Sequence, residues 1–289
     1  MFNLIRMNLY RMARTKSLWV VMLCMAMFCT FACSMVTIDL EDIQKNKAED
    51  SSGNLVAVYT GEDNEEEEGS FGITVQVPEK ENGEIPTFLE FYNSDLASGI
   101  VLVFLCIGCV IYFNGEIKSG FLKNIAGQTR HKPNIYLAKV FANMAYILSA
   151  LLLYGTVQFI SLWFMLKDKY SFRFGGEYIK ETAVLLAGIF LLYLAFLGGI
   201  SLITTVLKST AAGITVGMLC AFGVIGSFAA YADKIFHVNL SKYLVVSNVH
   251  NMLVGALKKD VFFAMGVGAL FSLFYYLLGT VYFTKKDVV

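Results

Sequence analysis

Charge is scarce in this chain. Only 16% of its 289 residues are Asp, Glu, Lys or Arg, against 56% apolar residues. Most of the charge stands between apolar runs rather than within them. No G-x-x-x-x-G-K-[ST] loop occurs, so the chain cannot hold ATP by that mechanism. It also has no H-E-x-x-H motif, no nucleophile elbow and no His/Cys metal cluster; the three histidines, His131, His237 and His250, all fall in polar connections. All six cysteines (Cys24, Cys29, Cys33, Cys106, Cys109, Cys220) lie inside apolar runs, which excludes a disulfide framework. The Cys106-x-x-Cys109 pair lacks the strand context of a redox motif and reads as small apolar packing. Span interiors offer only amides and hydroxyls, such as Asn143 and Gln158. That argues against an ion-coupled carrier, whose ion is bound by a buried charge. Lys139 and Glu181 stand at run ends, where snorkelling accounts for them. Neither broken helices in matching halves nor an internal repeat is evident.

What the chain has instead is apolar runs of about 20 residues, the length that crosses a ~30 Å hydrocarbon core. Six are expected as transmembrane helices, over 18–38, 96–113, 136–166, 181–207, 211–230 and 261–283. The third is longer than a bilayer needs and should tilt or project from it. The fifth carries Gly213-x-x-x-Gly217, a small-residue spacing that lets helices approach closely. The chain therefore reads as an all-α polytopic membrane protein.

Residues 1–17 hold Arg6, Arg11, Arg14 and Lys16 and no acid, while Phe2, Ile5, Leu9 and Met12 recur at helical spacing. This pattern predicts an amphipathic helix in the cytoplasmic headgroup layer. The following run is of full spanning length with no small-x-small site after it, which favours a transmembrane helix over a signal peptide. Residues 39–95 form a strongly acidic excursion in which 55–59 and 71–77 alternate like short strands. Asp63, Glu65 and Glu66 lack the ligand spacing and bend glycine of an EF-hand loop, so 61–70 reads as a solvated acidic turn. Residues 231–260 are amphipathic on Leu240, Leu244, Val245, Asn248, Met252 and Leu253, which suggests a helix that does not cross. Basic flanks at 1–17, 114–135, Lys208 and Lys285-Lys286 place both termini, including the tail 284–289, in the cytoplasm. The acidic loop then faces outward from the cell membrane.

Residues 113–139 read FNGEIKSGFLKNIAGQTRHKPNIYLAK, too polar for lipid and too short for a domain. Ile117, Phe121 and Ile125 share a helical spacing; a basic turn (Arg130, His131, Lys132) and the helix-breaking Pro133 follow. On the cytoplasmic side this is a stiff handle that a soluble partner could push. With six spans and the basic N-terminus FNLIRMNLYRMARTKSLW, the pattern Glu116, Gly120, Lys123, Asn124, Arg130, Lys139 resembles the ABC-2 type permease family, the membrane subunits of type V-fold ABC exporters.

The resemblance implies that 1–17 is an interfacial connecting helix and that 114–135 holds a coupling helix. That helix would dock on a separate ATP-binding cassette subunit through Glu116, Ile117, Gly120, Phe121, Leu122, Lys123, Asn124 and Arg130. The 231–260 stretch would be an extracellular element capping the translocation path. The working unit would be a homodimer or pseudo-homodimer of permeases with two ATPases. The chain itself would be no enzyme and would hold no cofactor, ATP and Mg belonging to the partner. Membrane lipid surrounds it, and no nucleic acid is expected. The cargo would be a peptide, drug or other amphiphile. Two other readings stay open: a sensor or immunity component whose acidic loop attracts a cationic ligand, and a passive channel.

Overall fold

Away from water a backbone must satisfy its own hydrogen bonds, and for an apolar single chain the helix does this locally. The computed structural model describes residues 2–50, 87–120, 133–166, 174–237 and 239–285. Among the described residues there is no strand. The helices are α1 (Phe2–Arg14), α2 (Lys16–Asp50), α3 (Phe88–Ala97), α4 (Ile100–Lys118), α5 (Pro133–Leu166), α6 (Ile179–Leu207), α7 (Thr210–Ala221), α8 (Val224–Phe236), α9 (Val245–His250) and α10 (Lys258–Lys285).

Five of them hold stretches long and apolar enough to cross a membrane: Lys16–Thr37 in α2, then α4, α5, α6, and Lys258–Tyr282 in α10. The α7 and α8 pair, bent by 57°, makes a sixth if it counts as one span. The protein is a multi-pass membrane protein. Cross-contacts give the helix directions. α5 runs antiparallel to α3 and α4, since Lys139 meets Glu116 while Gln158 meets Asp95. α2 runs alongside α5 in the same direction, with the Cys29 thiol by the Tyr154 carbonyl and Thr37 by Met165. α6 is central, packing on α3, α4, α5, α7, α9 and α10. α10 is parallel to α6: Gly188 lies by Met265, Gly199 by Tyr275 and Thr205 by Tyr282. α7 returns antiparallel along α4, Asn114 donating to Thr210, Gly213 resting on Val110, Gly217 on Cys106, and Ala221 reaching Gly99. The Gly213-x-x-x-Gly217 face is the buried face of α7, as the spacing predicts.

Several boundaries differ from the sequence expectation. Residues 88–95 were expected in the outer loop but form α3, buried along its whole length. Their acids make internal bonds rather than meeting solvent: the Thr87 N–H and hydroxyl both donate to Glu90 Oε2, at 2.6 and 2.8 Å, which caps the helix start. The α2 backbone stays helical to Asp50, past the expected end at residue 38. α4 runs to Lys118 and takes in Glu116 and Ile117. Pro133 does not merely interrupt: it opens α5, at a helix position where a missing N–H costs nothing.

Two breaks that the sequence did not reveal interrupt helices, at Ser98-Gly99 and at Phe222-Gly223. Gly99 (φ +81°) and Gly223 (φ +75°) are both left-handed, a region that suits glycine. The 231–260 stretch holds the end of α8, a 3-10 turn at Ser241–Tyr243 and the short α9. Asn248 and Met252 are buried there, whereas Leu240 and Leu253 are exposed. The strands expected at 55–59 and 71–77 and the acidic turn at 61–70 lie outside the described residues.

Candidate functional site

Where α1, α4 and α5 converge, a carboxylate sits between two cations. Glu116 lies near the C-terminal end of α4 with none of its side chain exposed, and Lys139, six residues into α5, is 1% exposed. Lys139 Nζ stands 2.7 Å from Glu116 Oε2, and Arg11 Nη1 from α1 stands 3.6 Å from Glu116 Oε1. The ammonium also lies 4.7 Å from the Phe113 ring centroid, a cation–π distance. Next to this, the Tyr112 hydroxyl donates to the Asn8 carbonyl at 3.2 Å, seating the buried polar residue of α1. Asn114 links α4 to the start of α7 through Thr210. Three helices are thus held by one acid, and a cavity of about 20 Å³ beside Lys139, Asn143 and Ser201 has room for a single water.

Chemically the arrangement is a structural tie. Among the described residues it sets no nucleophile against a base, and no group of three His, Cys, Asp or Glu side chains is set to hold a metal.

Of the residues singled out in the sequence, Glu116 turns inward to this tie. Ile117 is half-buried and packs against the small core of Ile135, Tyr136 and Leu202. Gly120 ends the α4 turn at φ +65° with open space around it. Phe121, Leu122, Lys123, Asn124 and Arg130 lie outside the described residues. Sequence reasoning missed Arg11 and assigned Lys139 to snorkelling; the lysine is instead enclosed and ion-paired. A usable signal was present, since Lys139 shares a helix face with the buried Ile135, Tyr136, Ala142 and Asn143.

At the opposite end a second polar cluster lies between α3, α5 and α6. Asp95 accepts hydrogen bonds from Tyr154 and Gln158 of α5, Asn93 donates to Thr182 of α6 at 3.1 Å, and the Tyr193 hydroxyl donates to the Leu96 carbonyl at 2.8 Å. Asp95, expected in the solvated outer loop, is thus enclosed in the bundle. His250 from α9 closes the cluster, its Nδ1 2.7 Å from the Ala97 carbonyl. Burial lowers its pKa below the ordinary histidine value, with the Ala97 bond opposing. Glu181 is not a free end either, since its carboxylate accepts from the Gly255 N–H at 2.8 Å.

Compared with protein-family models and with curated proteins, the chain matches none.

Proposed function

We propose that this chain is the membrane subunit of an ATP-driven exporter, an ABC-2 type permease moved by a separate ATP-binding subunit. On this reading both termini and residues 119–132 are cytoplasmic, the acidic loop is outside, and six spans cross the bilayer. Two such permeases, identical or not, form the path for a peptide, drug or other amphiphile.

The observation that supports it best is the buried pair of Glu116 and Lys139. These residues close the base of the hairpin formed by α4, residues 119–132 and α5, with a 2.7 Å contact shut off from solvent. A push on the hairpin tip then moves both helices as one body instead of splaying them, because opening the tie would strand an unpaired charge. Arg11 adds α1 to the same body. Phe121, Leu122, Lys123, Asn124 and Arg130 would form the tip that meets the ATPase, with Gly120 giving the turn; Glu116 and Ile117 would support it from within.

The test is purification of the tagged chain from its native membrane in mild detergent. The expected result is a stoichiometric ATP-hydrolysing subunit that is lost when Phe121→Asp and Lys123→Glu are combined. A homogeneous chain without any ATPase would instead favour the sensor or channel readings.

A further inference from the structure

Asp95 is 6% exposed, and among the described residues no Lys or Arg pairs with it. Its Oδ2 accepts from the Tyr154 hydroxyl at 2.9 Å and from Gln158 Nε2 at 2.7 Å. Both partners are as enclosed, at 0% and 2% exposed. The other atom of that amide, Gln158 Oε1, lies about 2.2 Å from Nε2 by covalent geometry. It is buried and has no hydrogen-bond partner among the described residues, and the same holds for Asn93 Oδ1, two residues before Asp95 on α3. Among the described residues two acceptors thus stand without a hydrogen, beside a carboxylate with no Lys or Arg counter-ion. Unfilled acceptors and an unpaired charge are both costly in such a place.

A proton on Asp95 would remove the charge and supply a hydrogen to one of these acceptors. If the Gln158 amide makes half a turn, its oxygen takes the place of the nitrogen, 2.7 Å from Asp95 Oδ2. Two oxygens at that distance need a proton between them. A metal ion fits less well, because hard cations gather several oxygen ligands, whereas Tyr154 presents its hydrogen to the carboxylate. We propose that Asp95 is a proton-binding site inside the bundle, in which Tyr154 and Gln158 hold the charged form and the Gln158 amide turns to accept from the protonated one. The step is uptake of a solvent proton by a carboxylate, with no other bond made or broken. It discharges the group that holds α3 against α5, so the bound proton sets how firmly α3 docks beside the break at Gly99.

The surrounding titratable groups leave this step to Asp95. Cys33 with Cys29 faces it from α2, Tyr154 from α5 and Tyr193 from α6. His250 of α9 is turned to the Ala97 carbonyl. On α3 itself, Glu90 is bound to Thr87 and Tyr92 donates to the Leu151 carbonyl. The proposal does not depend on the exporter reading.

The test is infrared difference spectroscopy of the full chain in lipid nanodiscs as the medium goes from about pH 8 to about pH 5. A carboxylic-acid carbonyl band should grow and be missing in Asp95→Asn. Tyr154→Phe should move its midpoint upward by about one to two pH units, because it removes a bond to the charged form, and Gln158→Met should move it upward by less, because the amide bonds the charged form more strongly than the protonated one but bonds both. These two variants keep the test decisive should Asp95→Asn fail to fold. The proposal is overturned by a band unchanged across that range, by midpoints that ignore Tyr154 and Gln158, or by a midpoint that follows sodium concentration.

Discussion

Glu116 and Lys139 illustrate how little a single side chain says about its own role. Removing either leaves the other charged and enclosed, which costs about 3–5 kcal/mol, while replacing both by apolar groups of similar volume can be near neutral. Glu116→Gln and Lys139→Met should therefore each lower the unfolding midpoint sharply in detergent, and the double variant should recover most of the loss. Losses that simply add would mean that the two residues do not act as a pair. Arg11 also faces the acid, so Lys139→Met should be the milder of the two single changes. The importance of Glu116 was legible in its position after an apolar run, but its direction was not. A carboxylate at a span end looks solvent-facing until its partner is known, and that partner belongs to the next helix. Asp95 was misread for the same reason. Its sign was visible, while the Tyr154 and Gln158 donors that allow it inside come from a different segment.

At the scale of elements, the apolar runs showed where the helices are, because spanning length is a property of one segment. The breaks depend on two segments at once. Ser98-Gly99 and Phe222-Gly223 sit within or beside apolar stretches and carry no local signal beyond a glycine. They matter because the end of α7 lies on the start of α4. A Cβ at Gly99 would sit 3.1 Å from the Ala221 carbonyl oxygen and 3.3 Å from His250 Cε1, whereas one at Gly223 would meet nothing within 4 Å. Both positions are left-handed, so alanine at either costs about 1–2 kcal/mol in backbone strain. Gly99→Ala adds a steric cost that Gly223→Ala does not. Thermal unfolding should rank Gly99→Ala clearly below Gly223→Ala, and Gly223→Ala slightly below the parent. Equal losses would show that the two breaks are not packed together as the structure has them.

For the whole molecule the question is how many times the chain crosses, and helix direction answers it better than hydropathy does. The bent pair alone is ambiguous. α7 and α8 have 12 and 13 residues; at ~1.5 Å per residue and a bend of 57°, they reach roughly 29 Å when α7 stands upright, barely a hydrocarbon thickness. The neighbours decide. α6 and α10 run parallel, from Gly188 by Met265 to Thr205 by Tyr282. The chain leaving α6 must therefore travel back to the other end before α10 can begin. α7 makes most of that journey along α4, from Thr210 beside Asn114 to Ala221 beside Gly99, and α9 then anchors at Ala97. On the six-span reading proposed above, three ascending spans (α2, α5, and α7 with α8) would alternate with three descending ones (α4, preceded by α3, then α6 and α10), and the two termini would share one side. Reporter tags at residues 1 and 289 should accordingly be reached by a membrane-impermeant probe under the same conditions, and a tag inserted within 51–86 under the opposite ones. A C-terminal tag on the loop side would mean that α7 and α8 dip into the bilayer and return, leaving five crossings and no shared face on which one soluble partner could meet both α1 and the end of α10.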